Sequence, residues 1–238
     1  MILRRTMTIT HQNEAISSTQ MYQIEEKAHS RFGMRRIYMM ENAGHGMADF
    51  VNANFKTRSS RITRLVAVCG TGNNGGDVFV AARHLSRYPG YAIAVILLGR
   101  PRDLRTEEAR TNWEILKKMH SIETSICNQV DVKARTKISK ANVILDGIFG
   151  TGIRGDIHEP QASAIELINK SDAWVVAADI PSGLDPDTGK SCQKCILADA
   201  TVTFHRRKTG LLIDRKHSGR VYVEHIGIPM EAERGILR

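Results

Sequence analysis

Residues 69–77, CGTGNNGGD, follow the apolar run LVAV and lead into VFVAARHL. Gly70 to Gly75 satisfy G-x-G-x-x-G, the spacing at which a strand-to-helix turn exposes backbone N–H groups at the positive end of a helix, where a phosphate is stabilised. Hydride-transferring dehydrogenases use the same turn, with an Asp or Glu about 20 residues on to hold the adenosine ribose. Here the corresponding strand ends ILLGRP, with Gly99 and Arg100 in its place; a pocket preferring a 2′-phosphate would explain the arginine but leave Asn73, Asn74 and Asp77 unexplained. Helix capping by the asparagines and a favourable first-turn charge at Asp77 are the simpler roles for these residues. Two later segments add Asp146 in DGIFGTGIRGD and both Asp179 and Ser182 in DIPSGLD. Two amides, a hydroxyl and carboxylates form an oxygen-rich set that suits a weakly Lewis-acidic cation, and the low formal charge suits a monovalent one.

These segments need elements to position them. Residues 18–55 read as two helices with no strand-like alternation. Short apolar runs then alternate with amphipathic stretches: 65–69, 92–98, 142–146, 174–179, 200–204 and 220–226 read as strands, and DVFVAARHLSR, TEEARTNWEILKKMH and EPQASAIELINKS as the helices between some of them. Such alternation predicts a mainly parallel sheet covered on both faces, with right-handed crossovers. Ligands of open α/β sheets sit beyond the carboxyl ends of the strands, so the three segments are predicted to converge on one edge.

Composition narrows the classes. A chain of 238 residues with 42% hydrophobic content can build one α/β core. The longest aliphatic strip, AIAVILL, is far short of the roughly 20 residues that cross a bilayer. The N-terminus lacks a secretory h-region, and four scattered cysteines, including the CQKC pair Cys192 and Cys195, do not make a disulfide framework or a complete zinc site. A cytoplasmic protein is expected, with residues 1–17 as a flexible extension and 18–238 as one domain. The net charge of +9 suits a polyanionic ligand, but the basic residues are spread out and aromatic content is 5%, so no nucleic-acid or membrane partner is expected.

Five blocks, CGTGNNGGDVFVAARHL, MENAG, DGIFGTGIRGDI, VVAADIPSGLDPDTG and ADATVTFHRRKTGL, resemble the YjeF N-terminal domain family over residues 18–228. The resemblance implies a Rossmann-like three-layer αβα sandwich and, for enzymatic members, epimerisation of hydrated NADH and NADPH at nicotinamide C6. Hydrated dinucleotide is then substrate and not redox cofactor. The resemblance further implies a potassium ion held by Asn74, Asp146 and Ser182. Substrate contacts fall on Asn73, Asn74, Gly75, Gly76 and Asp77, on Gly150, Thr151, Gly152, Ile153, Arg154, Gly155 and Asp156, and on Asp179. Asp179 is the expected general acid–base, since the end of a buried strand would raise its pKa, with Asp77 as second candidate. Lys208 matches a family lysine, although Arg207 replaces the proline before it. A homodimer and a separate NAD(P)H-hydrate dehydratase are the partners implied. Some members with this domain are non-catalytic binding modules; these are free to lose Asn74, Asp146 or Asp179.

Overall fold

The computed structural model describes residues 15–55, 62–152 and 155–237. Seven strands form one sheet in the order β3-β2-β1-β4-β5-β6-β7. They are β1 (Thr63–Cys69), β2 (Tyr91–Leu98), β3 (Ile122–Cys127), β4 (Val143–Gly147), β5 (Trp174–Ala178), β6 (Ala200–Phe204) and β7 (Arg220–Glu224). Every pairing is parallel. The helices are α1 (Ser18–Phe32), α2 (Arg36–Asn54), α3 (Asn73–Leu85), α4 (Glu107–Lys117), α5 (Val132–Ser139), α6 (Gln161–Asn169) and the short α7 (Gly210–Ile213).

Alternation along β1 shows how the layers form. Leu65, Ala67 and Cys69 pack with α1 to α4 in one core, while Val66 and Val68 pack with α5 and α6 in the other. Apolar side chains therefore cover both faces of the central strands, which is why these strands read as near-continuous hydrophobic runs. Gly44 in MENAG brings α2 against α3, where an added Cβ would stand 2.4 Å from the Val80 Cβ. The sandwich is the one expected, and among the described residues no helix is long and apolar enough to cross a membrane.

Three details differ from the sequence reading. β3 and α5 went unpredicted: β3 carries Glu123, Thr124 and Ser125 at the sheet edge, where polar side chains are tolerated, and α5 is short and starts from the Asp131 cap. α3 begins at Asn73, so NNGGD is helix and not loop; its N-cap is Gly72, and no side chain caps it. The extension expected to be flexible over 1–17 is built into the fold at its end: Ile16 is 1% exposed and bridges to Lys208, and Ser17 closes a capping box with Gln20.

The strand order reverses between β1 and β4. Chain direction therefore diverges there, leaving a crevice beyond their carboxyl ends. Gly70 follows β1 and Ile148 follows β4, so the two loops flank this crevice from the start.

Candidate functional site

A cavity of about 640 Å³ opens at that switch point. Its lining includes Gly72, Asn73, Asn74 and Asp77 from the start of α3, Gly150 to Gly152 and Asp156 from the loop after β4, and Asp179 after β5. Three segments far apart in the chain thus meet at one sheet edge, as expected. The volume lies within the range usual for sites that enclose a small organic ligand.

Backbone contact between the loops depends on glycine. An added Cβ on Gly70 would fall 2.0 Å from the Ile148 carbonyl oxygen, and one on Gly75 2.2 Å from the Gly70 oxygen. At Gly72 it would meet nothing within 4 Å, because that position faces the cleft. Gly75 and Gly76, expected as substrate contacts, do not line the cavity: Gly75 packs on Gly70 and Gly76 on Met40 and Ala109. Gly155 is exposed at the loop's outer turn, its carbonyl near Cys192 Sγ, and it too lies off the cavity. Ile153 and Arg154 lie outside the described residues.

Beneath the cavity floor, Asn74, Asp146 and Ser182 are joined through one backbone residue. The Asn74 amide nitrogen donates to the carbonyls of Phe149 at 2.8 Å and Ala178 at 2.7 Å, which turns its oxygen toward Gly150. The Ser182 hydroxyl accepts from the Phe149 N–H at 2.8 Å and donates to Asp146 Oδ1 at 2.6 Å. Asp146 also accepts from the N–H groups of Ser182 at 2.8 Å and Ile148 at 3.2 Å. Capping is therefore not what Asn74 does; its amide spans two loops. Asp146 is fully buried among neutral donors, and that burial pushes its carboxyl up to about 6 despite the hydrogen bonds from Ser182 and Ile148. A buried carboxylate with no cationic side chain paired to it among the described residues, with amide, hydroxyl and carbonyl oxygens around it, fits a monovalent cation. The close approach of Gly150 to the Asn74 carboxamide, 3.2 to 3.3 Å from an added Cβ, is a cradle that any larger residue would fill. Among the described residues no group of three or more His, Cys, Asp or Glu side chains is arranged to hold a metal, so a transition-metal centre has no ligand set there.

Asp179 stands differently from the sequence reading. It follows β5 with φ 60°, a left-handed conformation that costs a non-glycine residue on the order of 1–3 kcal/mol and concentrates at functional sites. Its carboxylate is ion-paired with Lys208 and accepts from the Phe204 N–H at 3.0 Å and the Thr203 hydroxyl at 3.1 Å. The desolvated carboxyl expected there instead has a buried lysine as its ion-pair partner. Carboxyls raised by burial are found nearby. Burial, then the charges of Asp179 and Glu25, push Asp77 well above the usual carboxylate range, with Lys208 opposing. Glu25, from α1, is pushed up to about 7 by burial, which outweighs the opposing charge of Lys208.

Sequence reasoning passed over Glu25, Arg36 and Arg105, all of which line the cavity, and left Lys208 unassigned. A signal for Glu25 was present. Met21, Ile24 and Ala28 form the buried stripe of α1, and Glu25, four residues after Met21, puts a carboxyl on that apolar face.

A doubly wound parallel sheet with a glycine turn and a polar cleft at its switch point defines a Rossmann-like α/β protein. Within that class, residues 36–210 match the family described as YjeF-related protein N-terminus, and the chain belongs to it. It is 46% identical over 222 residues to a Cenarchaeum symbiosum protein named NAD(P)H-hydrate epimerase, covering 93% of this chain and 99% of that one. A Pyrobaculum aerophilum protein named bifunctional NAD(P)H-hydrate repair enzyme Nnr is 44% identical over 224 residues, 92% of this chain and 43% of its own length. The crystal structure of the yeast protein ynu0 superposes with a TM-score of 0.76 at 25% identity, covering 88% of each chain.

Proposed function

We propose that this protein is an NAD(P)H-hydrate epimerase, interconverting the R and S epimers at C6 of the hydrated nicotinamide ring. The observation that carries the reading is the convergence of Asn74, Asp77, Gly150 to Gly152 and Asp179 on one cleft, in a chain whose near-full-length relative bears that name. A binding module that had dispensed with catalysis would have no need to keep Asn74, Asp146, Ser182 and Asp179 together.

Hydration of the 5,6 double bond leaves a hydroxyl on C6, next to N1. The N1 lone pair can expel that hydroxyl, giving an iminium to which water returns on the opposite face. No hydride moves, so the glycine turn holds a damaged coenzyme as substrate. The N–H groups at the start of α3 and the Gly150 to Gly152 backbone are suited to the pyrophosphate, since both offer donors to the cleft. Asp156 and Arg105 stand on the cavity lining with them, and Arg154 is proposed as a further phosphate contact. Asp179, ion-paired with Lys208, takes the proton from the incoming water or returns it to a departing one; general acid–base help of this kind contributes about 10²–10⁴-fold. Asp77, whose carboxyl burial holds well above the usual carboxylate range, faces the same cleft and is placed to hydrogen-bond the ring substituents. A potassium ion among Asn74, Asp146 and Ser182 would fix the loops after β4 and β5 and offset carboxylate charge.

The proposal includes a homodimer, a cytoplasmic setting and a dehydratase that removes the S epimer. Four free cysteines accord with a reducing compartment. The test supplies purified R hydrate together with a dehydratase specific for the S form. Recovery of reduced dinucleotide only when this protein is added supports the epimerase; a rate no faster than without it refutes the assignment.

A further inference from the structure

Glu25 from α1, Asp77 from α3 and Asp179 after β5 are among the carboxyls that line the cavity, and Lys208 after β6 brings an ammonium to the same lining. Lys208 is committed, donating to Asp179, to the Phe204 carbonyl at 2.9 Å and to the Thr203 hydroxyl at 3.3 Å. Asp179 takes Lys208, Thr203 and Phe204 all on Oδ1, which leaves Oδ2 to accept a proton. Glu25 takes no hydrogen bond or ion pair from any described residue; the neighbouring Glu26 is the one that pairs with Arg36.

That freedom is not looseness of the helix. α1 is fixed at its start by the Ser17 capping box and by Ser18, which gives Asp187 a backbone and a hydroxyl hydrogen bond, each at 2.6 Å. Further along, Lys27 donates to the Arg234 carbonyl at 2.6 Å. A carboxyl carried on a fixed helix, facing a ligand cavity and lacking a protein partner, is placed to find its partner on the ligand.

The chemistry of the proposed reaction asks for such a group. Loss and return of water on opposite faces of a planar ring needs a proton given on one face and taken on the other. Glu25 reaches the cleft from α1 and Asp179 from the end of β5, two elements that line it independently. We propose that Glu25 is a catalytic acid–base of the epimerisation, acting on the ring face opposite Asp179. This rests on the epimerase reading above.

In one direction Glu25 gives its proton to the C6 hydroxyl as the C6–O bond breaks, and the N1 lone pair forms the C6=N1 bond. The hydroxyl leaves as water. A second water bonds to C6 from the other face, the iminium electron pair returns to N1, and Asp179 takes the proton that water loses. One water leaves, one enters, one proton passes from Glu25 to Asp179, and nothing is oxidised or reduced. Solvent returns the proton between turnovers. The other epimer runs the path backward with roles exchanged, so both directions require one proton on the Glu25–Asp179 pair. Burial keeps Glu25 protonated up to about pH 7 against Lys208 and Arg36, with Asp179 acting in the same sense as burial, and Asp77 faces it from α3. Activity in both directions then declines above about pH 7.

The experiment measures kcat and KM from each epimer for the full chain and for Glu25→Gln, across pH. The expected result is a kcat lower by about 100-fold or more from either epimer, with KM within about threefold and the alkaline decline near pH 7 abolished. Unchanged circular dichroism and retained dinucleotide binding would accompany it. A kcat within about threefold of wild type, or a lower kcat with the alkaline decline intact, overturns the proposal. Should Glu25→Gln fail to fold, Glu25→Asp is read in its place: a displaced alkaline decline supports the role and an unmoved one overturns it. Wild-type protein inactive on both epimers would instead refute the epimerase reading itself.

Discussion

The Lys208 ammonium, 1% exposed, is ion-paired with the carboxylate of Asp179, whose side chain is 14% exposed. The pair ties the loop after β5 to the loop after β6. Two residues in the left-handed region mark the same place: Asp179 at φ 60° and His205 at φ 63° each come directly after the last residue of their strand. Adjacent parallel strands thus end in matching strained turns, one presenting the anion and the other leading to its counter-ion.

Removing the ammonium leaves a largely buried anion with neutral donors only. Lys208→Met is expected to cost about 3 kcal/mol, read as a lower denaturant midpoint at unchanged m-value. Lys208→Arg is not expected to restore it, since a planar guanidinium does not fit where a compact ammonium meets three oxygens. Asp179→Asn keeps the shape and removes the proton acceptor. Turnover should fall about 10²–10⁴-fold while dinucleotide binding stays measurable, and unchanged turnover would remove Asp179 from the mechanism.

The glycines of the turn divide into two kinds. Gly70→Ala drives a methyl to 2.0 Å from the Ile148 carbonyl, backbone against backbone, so the loops after β1 and β4 must separate. A loss of about 3 kcal/mol or failure to accumulate as folded protein is expected. Gly72→Ala has open space and an extended φ of −93°, so the fold should hold. Its methyl would stand in the cleft, and dinucleotide binding should weaken instead. Thermal melts alongside binding titrations separate the two; equal destabilisation would contradict the division.

Much of this was legible because it is local. Apolar runs such as LVAVC and AIAVILL announce central strands, and a glycine turn between strand and helix announces a phosphate-sized opening. β3 was not legible, since Glu123, Thr124 and Ser125 join the sheet through backbone bonds to β2 that no side-chain pattern records. In the site, Asn74, Asp146 and Ser182 stood out as residue types, but their linkage through Phe149 is a product of tertiary folding. The partner of Asp179 lies 29 residues away, and only the pairing of β5 with β6 brings it near. Glu25 is further still from the motifs, on a helix whose start is fixed by Asp187 across the molecule.

The proposed potassium site between the loops after β4 and β5 predicts cation-dependent stability. Melting in potassium chloride should exceed melting in choline chloride at equal ionic strength. At a concentration 100 times Kd the gain is about 2.7 kcal/mol, or roughly 2–4 °C for each kcal/mol in a chain of this size. Ser182→Ala and Asp146→Asn should each abolish the difference. Identical melting of the wild type in both salts would dismiss the cation.

His205 predicts the acid limit of stability. It is 4% exposed, with Nε2 2.9 Å from Glu233 Oε1, while Arg206 holds both Glu233 oxygens at 2.8 and 2.6 Å. Burial, aided by the charges of Arg206, Lys208 and His225 and opposed by Glu233, brings His205 down to about 4. Its folded value is below its ordinary one, so the unfolded chain binds the proton more readily. The stability this neutral histidine contributes is present above about pH 6.5 and is lost as pH falls toward 4. Glu233 acts in the same sense: burial opposes its ionisation, but the Arg206 hydrogen bond and charge, with His205, outweigh that and hold it below the usual value. Denaturant midpoints should therefore drop between pH 6.5 and 4 by an amount on the order of 2 kcal/mol in stability. His205→Asn accommodates the left-handed backbone and cannot take up the proton, so it should flatten that decline. A decline as steep as wild type would assign acid lability to groups other than His205.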